Sequence, residues 1–185
     1  MRILPTVQDH PDPLRGTLVR LRAWEPEDHA VAVHLSNDPE VRDGLLSAWP
    51  STPEQQEVRI NTGLERGDLA FAIEAIHDGI LVGGVSIGPI EPVARKGTLG
   101  MFIGKPYWGR GYGTDALRVA CRFAFRFANL ERLELNVLAD NERAVSVYRK
   151  VGFTIEGTRR RSEFGHGRRQ DAHLMGLLAA ELLEG

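Results

Sequence analysis

Apolar and polar residues alternate along much of the chain with the period of two that is typical of β-strands. Runs of this kind predict strands near residues 18–24, 70–76, 81–87, 97–103, 133–137, 153–164 and 169–178. Asp78 and Gly79 separate the second run from the third and favour a tight hairpin turn. We therefore expect a sheet of about seven strands.

Helical signals occupy the segments between these runs. Pro26 and Pro53 suit the first turns of helices, one over residues 26–37 and one after residue 53. A third helix follows a glycine cluster and carries an apolar stripe over residues 117–128. A fourth begins near Asn141 and ends at Gly152. The order of elements predicts a mixed α/β fold, with about four helices flanking one mixed sheet.

Composition and charge narrow the class of protein. The chain has 185 residues, a formal net charge of -2 and a single cysteine, Cys121. These values favour one globular domain with no general attraction to nucleic acid or to an anionic membrane. Prolines at positions 5, 11 and 13 predict an extended arm over residues 1–15, before a single domain over residues 16–185. No apolar leader precedes residue 15, so we expect a cytoplasmic protein.

Three glycines at positions 109, 111 and 113 lie between a predicted strand and the third helix. A helix N-terminus presents free N–H groups and partial positive charge, and glycine lets a ligand approach the backbone. The cluster therefore predicts a phosphate site, and the alternative is an ordinary glycine-rich turn. Thr114 and Asp115 follow the last glycine, which excludes the Walker pattern, and the glycine spacing excludes the Rossmann fingerprint.

Residues 141–153 form a second motif. Asn141 is suited to capping a helix, and Tyr148 lies two turns later on the same face. Taken alone, this segment is also compatible with a short amphipathic helix that buries an ordinary core tyrosine.

Residues 107–117 and 141–153 together resemble the GNAT superfamily of N-acetyltransferases. The first segment is similar to the branch that acetylates ribosomal-protein N-termini, the RimJ/RimL type. Asp140-Asn141, Tyr148-Arg149-Lys150 and Ile155-Glu156-Gly157 also resemble members that act on free amino acids or spermidine. The resemblance covers residues 16–180 and implies the GNAT fold, a central mixed and mostly antiparallel sheet flanked by helices.

The resemblance implies acetyl-CoA as the acyl donor and no metal. The pantetheine arm would pair with the strand before the glycines, the glycine loop would hold the pyrophosphate, and Tyr148 would stand near the sulfur. Trp108 replaces the Gln or Arg of most members, which suits the RimJ/RimL branch and removes one side-chain contact to the donor. The implied donor-binding residues are Met101, Phe102, Ile103, Trp108, Gly109, Arg110, Gly111, Tyr112, Gly113, Thr114, Asn141, Ala144 and Tyr148.

The implied reaction is direct attack of a neutral amine on the thioester. Tyr148 is the expected acid for the leaving thiolate, because free pKa values of about 10 and about 8.5 are within reach of each other. The strand over residues 98–103 has no carboxylate, although some family members place a glutamate there as base. Glu134 on the next strand is the candidate base, unless it faces solvent, and Asn136 is a candidate for positioning a water.

The resemblance implies that the acceptor is a primary amine of a peptide, an amino acid or another small molecule. Neutralising a lysine-like amine at pH 7 costs about 4.6 kcal/mol and an α-amine about 1.4 kcal/mol, so a site without an evident base favours the α-amine. Trp24, Glu25 and Trp49 are expected on the acceptor side by analogy of fold.

Three alternatives stay open: an antibiotic acetyltransferase, an enzyme for another acyl-CoA, and a CoA-binding module without turnover. The six histidines have no metal-ligand spacing. Dimers are common in the family, which suggests a homodimer. An arginine cluster near the last hairpin would contact an anion or protect a solvated strand edge, and it consists of Arg159, Arg160, Arg161, Arg168 and Arg169.

Overall fold

One mixed sheet organises the chain, which the computed structural model describes over residues 12–46, 49–165 and 167–184. Its strands are β1 (Val19–Arg22), β2 (Leu69–Ala75), β3 (Leu81–Glu91), β4 (Lys96–Ile103), β5 (Arg132–Leu138), β6 (Thr154–Gly165) and β7 (Arg168–Leu178). They lie in the order β1-β2-β3-β4-β5-β7-β6. Every neighbouring pair is antiparallel except β4 and β5, so the predicted mixed and mostly antiparallel sheet of seven strands is confirmed.

The helices of the described chain include one that the sequence pattern did not predict. The α-helices are α1 (Asp28–Ser36), α2 (Pro39–Gly44), α3 (Pro53–Glu65), α4 (Tyr112–Arg126) and α5 (Glu142–Arg149), with 3-10 turns at Lys105–Tyr107 and Ala179–Glu181. The unpredicted helix is α2, whose six residues are too few to show a helical period. Local chemistry starts it, since Pro39 occupies the first turn and the Asp38 carboxylate accepts a hydrogen bond from the Glu40 amide at 2.9 Å.

The sheet opens between β4 and β5. These parallel strands pair only over Lys96–Thr98 and Arg132–Glu134. Beyond that point β4 continues its pairing with β3 up to Ile103, and β5 continues its pairing with β7 up to Leu138. The carboxyl-terminal halves of β4 and β5 therefore separate, and their facing backbone edges do not pair with each other.

Helix α4 packs against both halves of the divided sheet. Leu117 and Cys121 belong to the apolar cluster that includes β5 and β7, whereas Ala116 and Ala120 belong to the cluster of β1, β2 and β3. All four side chains are fully buried, and burial raises the pKa of the Cys121 thiol. Helix α4 thus contributes side chains to the apolar cores on both sides of the opening between β4 and β5.

A carboxylate in the first turn of α4 holds the start of β1. Asp115 accepts backbone hydrogen bonds from Thr17, Leu18 and Val19 at 3.2, 2.7 and 2.9 Å. A Cβ on Gly16 would lie 2.4 Å from an Asp115 carboxylate oxygen, so glycine is needed there for the close approach. The edge strand β1 is thereby anchored to the N-terminus of α4.

Most of the predicted N-terminal arm, residues 1–11, lies outside the described residues. The described part of the arm contacts the fold: Leu14 packs partly buried against the apolar cluster of β1 and accepts a hydrogen bond from the Leu21 amide at 2.8 Å. Among the helices of the described chain, none has the length and apolar character needed to cross a bilayer.

Replacing Asp115 with alanine is expected to lower the free energy of unfolding by about 2 kcal/mol, because partly exposed hydrogen bonds to a charged acceptor are lost. Urea unfolding followed by circular dichroism measures this change. Glu57→Ala on exposed α3 is the control and should change the stability by less than about 0.5 kcal/mol. Equal losses in the two variants would show that the carboxylate does not anchor β1.

Candidate active site

A cavity of about 430 Å³ fills the gap where β4 and β5 separate. The exposed end of β4 forms one wall, the glycine loop and the start of α4 form the second, and β5 with α5 forms the third. Helix α2 contributes Val41, Gly44 and Leu45 to the lining. Of the predicted donor-binding residues, those that line this cavity are Met101, Phe102, Ile103, Trp108, Gly109, Gly111, Tyr112, Gly113, Thr114, Asn141, Ala144 and Tyr148.

Arg110 is the predicted donor-binding residue that does not line the cavity. Its guanidinium lies 5.9 Å from the centroid of the ring of Tyr107, which does line the cavity. Arg110 is thus adjacent to the lining without being part of it.

The glycine loop presents free backbone donors to the cavity. Gly109 and Gly111 have φ angles of 76° and 85°, a region that residues with a Cβ rarely adopt. Gly111 is the N-cap of α4, and no side chain caps the helix at that position. The first amides of α4 consequently face the cavity with the positive end of the helix dipole, which is the chemistry of an anion site.

Trp108 has a structural role that its sequence position did not reveal. Its indole Nε1 donates a hydrogen bond to the Ile103 carbonyl at 2.7 Å, which fastens the glycine loop to the end of β4. The Arg143 guanidinium lies 3.2 Å from the centroid of the same indole, in cation–π geometry. Burial lowers the pKa of Arg143, and the side chain brings a cation from α5 to the cavity wall.

Arg143 and Lys150 are cavity residues that sequence reasoning missed. Both lie in the second motif, residues 141–153, in which the predicted site residues include Asn141 and Tyr148. A cation in the first turn of a short helix and another at its C-cap, beside a predicted phosphate loop, were the available signal.

Tyr148 projects from α5 into the cavity with 8% of its surface exposed. Its ring packs edge-on against Phe153, with 5.7 Å between the ring centroids. Burial raises the pKa of Tyr148 to about 12, and proximity to Cys121 adds to the shift. The hydroxyl is therefore neutral and able to donate a hydrogen bond across the physiological pH range.

Asn141 and Asn136 line the cavity, each with one polar atom already engaged. The Asn141 Oδ1 accepts a hydrogen bond from the Ala144 amide at 3.1 Å and caps α5, as its position predicted. The Asn136 Oδ1 accepts a hydrogen bond from the Arg159 guanidinium at 2.7 Å. This contact places one member of the C-terminal arginine cluster beside the cavity wall.

The structure does not bring Glu134 to the cavity, contrary to the candidate role as general base. Glu134 lies where β4 and β5 are still paired, opposite Thr98. Its carboxylate is 2.8 Å from the Arg132 Nε and 3.8 Å from the Lys96 Nζ, so it is held in an ion-pair network outside the cavity lining. The register of the parallel pair decides this placement, and alternation within one strand does not reveal it.

A second cavity of about 370 Å³ meets the first at Leu45, Met101 and Phe102. Its walls come from α2, α3, the loop around Trp49 and the strands β3 and β4. Trp24 and Trp49, which were predicted from the sequence to lie on the acceptor side, both line it. Glu25, also expected there, is outside the lining, with its carboxylate 3.8 Å from the Arg22 guanidinium.

Gly84 gives this second cavity its shape. A Cβ at Gly84 would come within 2.7 Å of the Trp24 ring and 2.9 Å of the Phe102 ring. The absence of a side chain there lets both aromatic rings lie against the sheet at the junction of the two cavities.

Within the described ranges, no three His, Cys, Asp or Glu side chains come together in a way that could hold a metal ion. The two cavities present backbone donors, hydroxyl groups that include the neutral Tyr148, side-chain amides, cations and the carboxylate of Asp68.

Comparisons with known proteins agree with this geometry. The sequence model of the family described as "Acetyltransferase (GNAT) domain" matches residues 19–154. The chain is 30% identical over 159 residues to spermidine N(1)-acetyltransferase of Escherichia coli K12, covering 83% of this chain and 82% of that protein. It is also 30% identical over 157 residues to the L-amino acid N-acetyltransferase AaaT of the same strain, covering 84% and 94%.

The fold has close structural relatives. The spermidine N-acetyltransferase of Vibrio cholerae, solved in complex with CoA and spermine, superposes with a TM-score of 0.82 at 24% identity. The superposition covers 89% of this chain and 97% of that one.

The chain therefore belongs to the GNAT acetyltransferase family. It is an N-acetyltransferase whose donor is acetyl-CoA and whose acceptor is a primary amine.

Gly109→Ala should weaken acetyl-CoA binding by about tenfold or more, because it strains the loop whose amides face the donor. Gly67→Ala is the matched control. Gly67 has a φ angle of 87°, and neither added Cβ would meet an atom within 4 Å. Both variants should lose about 1–2 kcal/mol of stability, and only Gly109→Ala should lose affinity in calorimetric titration. Equal affinities would show that the glycine loop does not bind the donor.

Proposed function

We propose that acetyl-CoA occupies the cavity between β4 and β5, and that the amine reaches it through the second cavity. The junction of the two cavities at Met101 and Phe102 carries this proposal, because a thioester there would be open to attack from the acceptor side. Two substrates held in neighbouring cavities need no covalent enzyme intermediate. The reaction is then direct transfer of the acetyl group from sulfur to nitrogen.

The donor is held mainly by backbone groups. The pyrophosphate would bind the amides of residues 109–114, with Arg143 as an additional cation at the wall. The pantetheine arm would lie along the unpaired edge of β4 at residues 101–103. Asn141 and Ala144 would contact the donor from the first turn of α5.

Tyr148 is proposed to assist departure of the sulfur. Its pKa of about 12 lies above the pKa of about 8.5 of an ordinary thiol. Complete proton transfer to such a thiolate would be uphill by about 5 kcal/mol. The hydroxyl therefore stabilises the developing negative charge on sulfur as a hydrogen-bond donor, and the thiolate gains its proton as the amide nitrogen loses one.

The acceptor amine must arrive neutral. Among the described residues that line the first cavity, none is Asp, Glu or His. Asn136 is the remaining candidate from the sequence, and it would position a water that carries the proton away. An α-amine with a pKa of about 8 loses its proton at neutral pH at much lower cost than a lysine-like amine.

Further parts of the proposal rest on the sequence. The aromatic Trp108 and the pattern of residues 107–117 support membership of the RimJ/RimL branch, with peptide N-termini as one acceptor class. We also propose that residues 16–185 act as one catalytic domain, that the enzyme is cytoplasmic, and that it forms a homodimer.

Tyr148→Phe should lower kcat by about 100-fold while leaving the affinity for acetyl-CoA nearly unchanged, because only the hydroxyl is lost and the contact with Phe153 is kept. The measurement is release of free CoA thiol in the presence of a panel of α-amines and other primary amines. Absence of thiol release by the wild-type protein with every amine would overturn acetyl transfer. An unchanged kcat in the variant would remove Tyr148 from the mechanism.

The pH profile of kcat/KM tests the protonation states. Activity should rise with pH until the acceptor amine is neutral, since no described carboxylate or imidazole lines the donor cavity to act as base. No decline is expected between pH 8 and about 10, because a Tyr148 pKa raised to about 12 keeps the hydroxyl protonated. A falling limb in that range, absent from Tyr148→Phe, would contradict the assigned protonation state.

A further inference from the structure

The second cavity, on the acceptor side, is lined by an excess of positive charge. Arg42, Arg59 and Arg66 line it, whereas Asp68 is the single acidic side chain among the described lining residues. None of these arginines belongs to the C-terminal cluster. They come instead from α2, α3 and the turn after α3.

Asp68 is committed to structural contacts. One of its carboxylate oxygens accepts a hydrogen bond from Arg66 at 2.7 Å, and the other accepts one from the Ile90 amide at 3.2 Å. The side chain is only 9% exposed and is packed so closely that a Cβ on Gly88 would lie 2.3 Å from its carboxyl carbon. This carboxylate cancels the charge of Arg66 and is not free to bind an ammonium group.

The charges of Arg59 and Arg42 are not cancelled. Arg59 donates a hydrogen bond to the side-chain oxygen of Gln56, a neutral group that is itself 4% exposed. No carboxylate of the described chain lies within ion-pair distance of Arg59 or Arg42. The Gln56 amide thus contacts the Arg59 guanidinium at the cavity wall without neutralising it.

Sequence similarity to known enzymes does not identify the acceptor, because the spermidine enzyme and the amino acid enzyme each share 30% sequence identity with this chain. Cavity size does not choose either, since about 370 Å³ accommodates many small amines. Charge does discriminate. A polyamine would place its second ammonium group beside uncancelled guanidinium groups, whereas a carboxylate would be attracted to them.

We propose that the acceptor is a primary amine that also carries a carboxylate, and that Arg42 and Arg59 bind this carboxylate. The inference rests on the proposed entry of the amine through the second cavity. A free amino acid and a peptide with an acidic residue near its N-terminus share the required chemistry. A polyamine is then a poor substrate, despite the similarity to spermidine acetyltransferases.

The test compares matched acceptors that differ in one carboxylate. Methionine is paired with methioninamide, and the tripeptide Ser-Glu-Ala amide with Ser-Gln-Ala amide. Spermidine is included as the polycationic acceptor. The two pairs distinguish a free amino acid from an acidic peptide as the source of the carboxylate. Each kcat/KM is corrected for the fraction of neutral amine at the assay pH, because amidation lowers the pKa of an α-amine.

At least one acidic acceptor should exceed both its neutral partner and spermidine by about tenfold in kcat/KM. In Arg59→Gln and Arg42→Gln this preference should fall by about tenfold, while the neutral acceptors change little. Arg126→Gln is the control, since this exposed arginine pairs with Glu184 and lines neither cavity. A preference for spermidine, or a preference for acids that survives both cavity substitutions, would overturn the proposal.

A binding measurement separates this inference from the proposed function. Titration of the same acceptor pairs into protein saturated with CoA reports recognition without turnover. Tighter binding of the acid, lost in Arg59→Gln, supports the carboxylate site even if no amine is acetylated. Equal binding of acid and amide overturns the site even if acetyl transfer is observed.

Discussion

The separation of β4 from β5 is the constraint on which the rest of the structure depends. A parallel pair that stops after Thr98 and Glu134 leaves two strand edges with unmatched backbone groups. Such edges are unfavourable unless water or a ligand satisfies them. The protein keeps them open because α4 packs on the cores of both halves, so that the sheet is joined through a helix where strand pairing ends.

That helix also determines the electrostatics of the cavity between β4 and β5. Its N-terminus points to the open edge of β4, and the glycines that permit the turn remove the side chains that would fill the gap. The hydrogen bond from Trp108 to the Ile103 carbonyl fastens the glycine loop to the end of the open strand edge. Opposite them, burial keeps the Tyr148 hydroxyl neutral. The position of α4 therefore serves stability and chemistry together.

The parts of this site that sequence pattern predicts are those with local causes. Alternation and helical period place the strands and the long helices, and a glycine loop before an amphipathic helix indicates an anion site or an ordinary turn. Glu134 shows what the sequence pattern does not predict, because its position outside the cavity depends on how far along the chain β4 and β5 stay paired. Helix α2 is too short to show a period, and Arg143 becomes part of the site only through its contact with Trp108.

The acceptor side is the least predictable for the same physical reason. The anion-site chemistry of the first cavity comes from glycines and backbone amides, which leave a motif in the sequence. The second cavity is formed by side chains on α2, α3 and a connecting loop that pack against β3 and β4, and tertiary contacts decide this packing. Arg66 is neutralised because it pairs with the Asp68 carboxylate. Arg59 keeps its charge because its partner, the Gln56 amide, is neutral. A few side chains in such a cavity can set the sign of charge that is favoured in a ligand, while the glycine loop and the open strand edge stay the same.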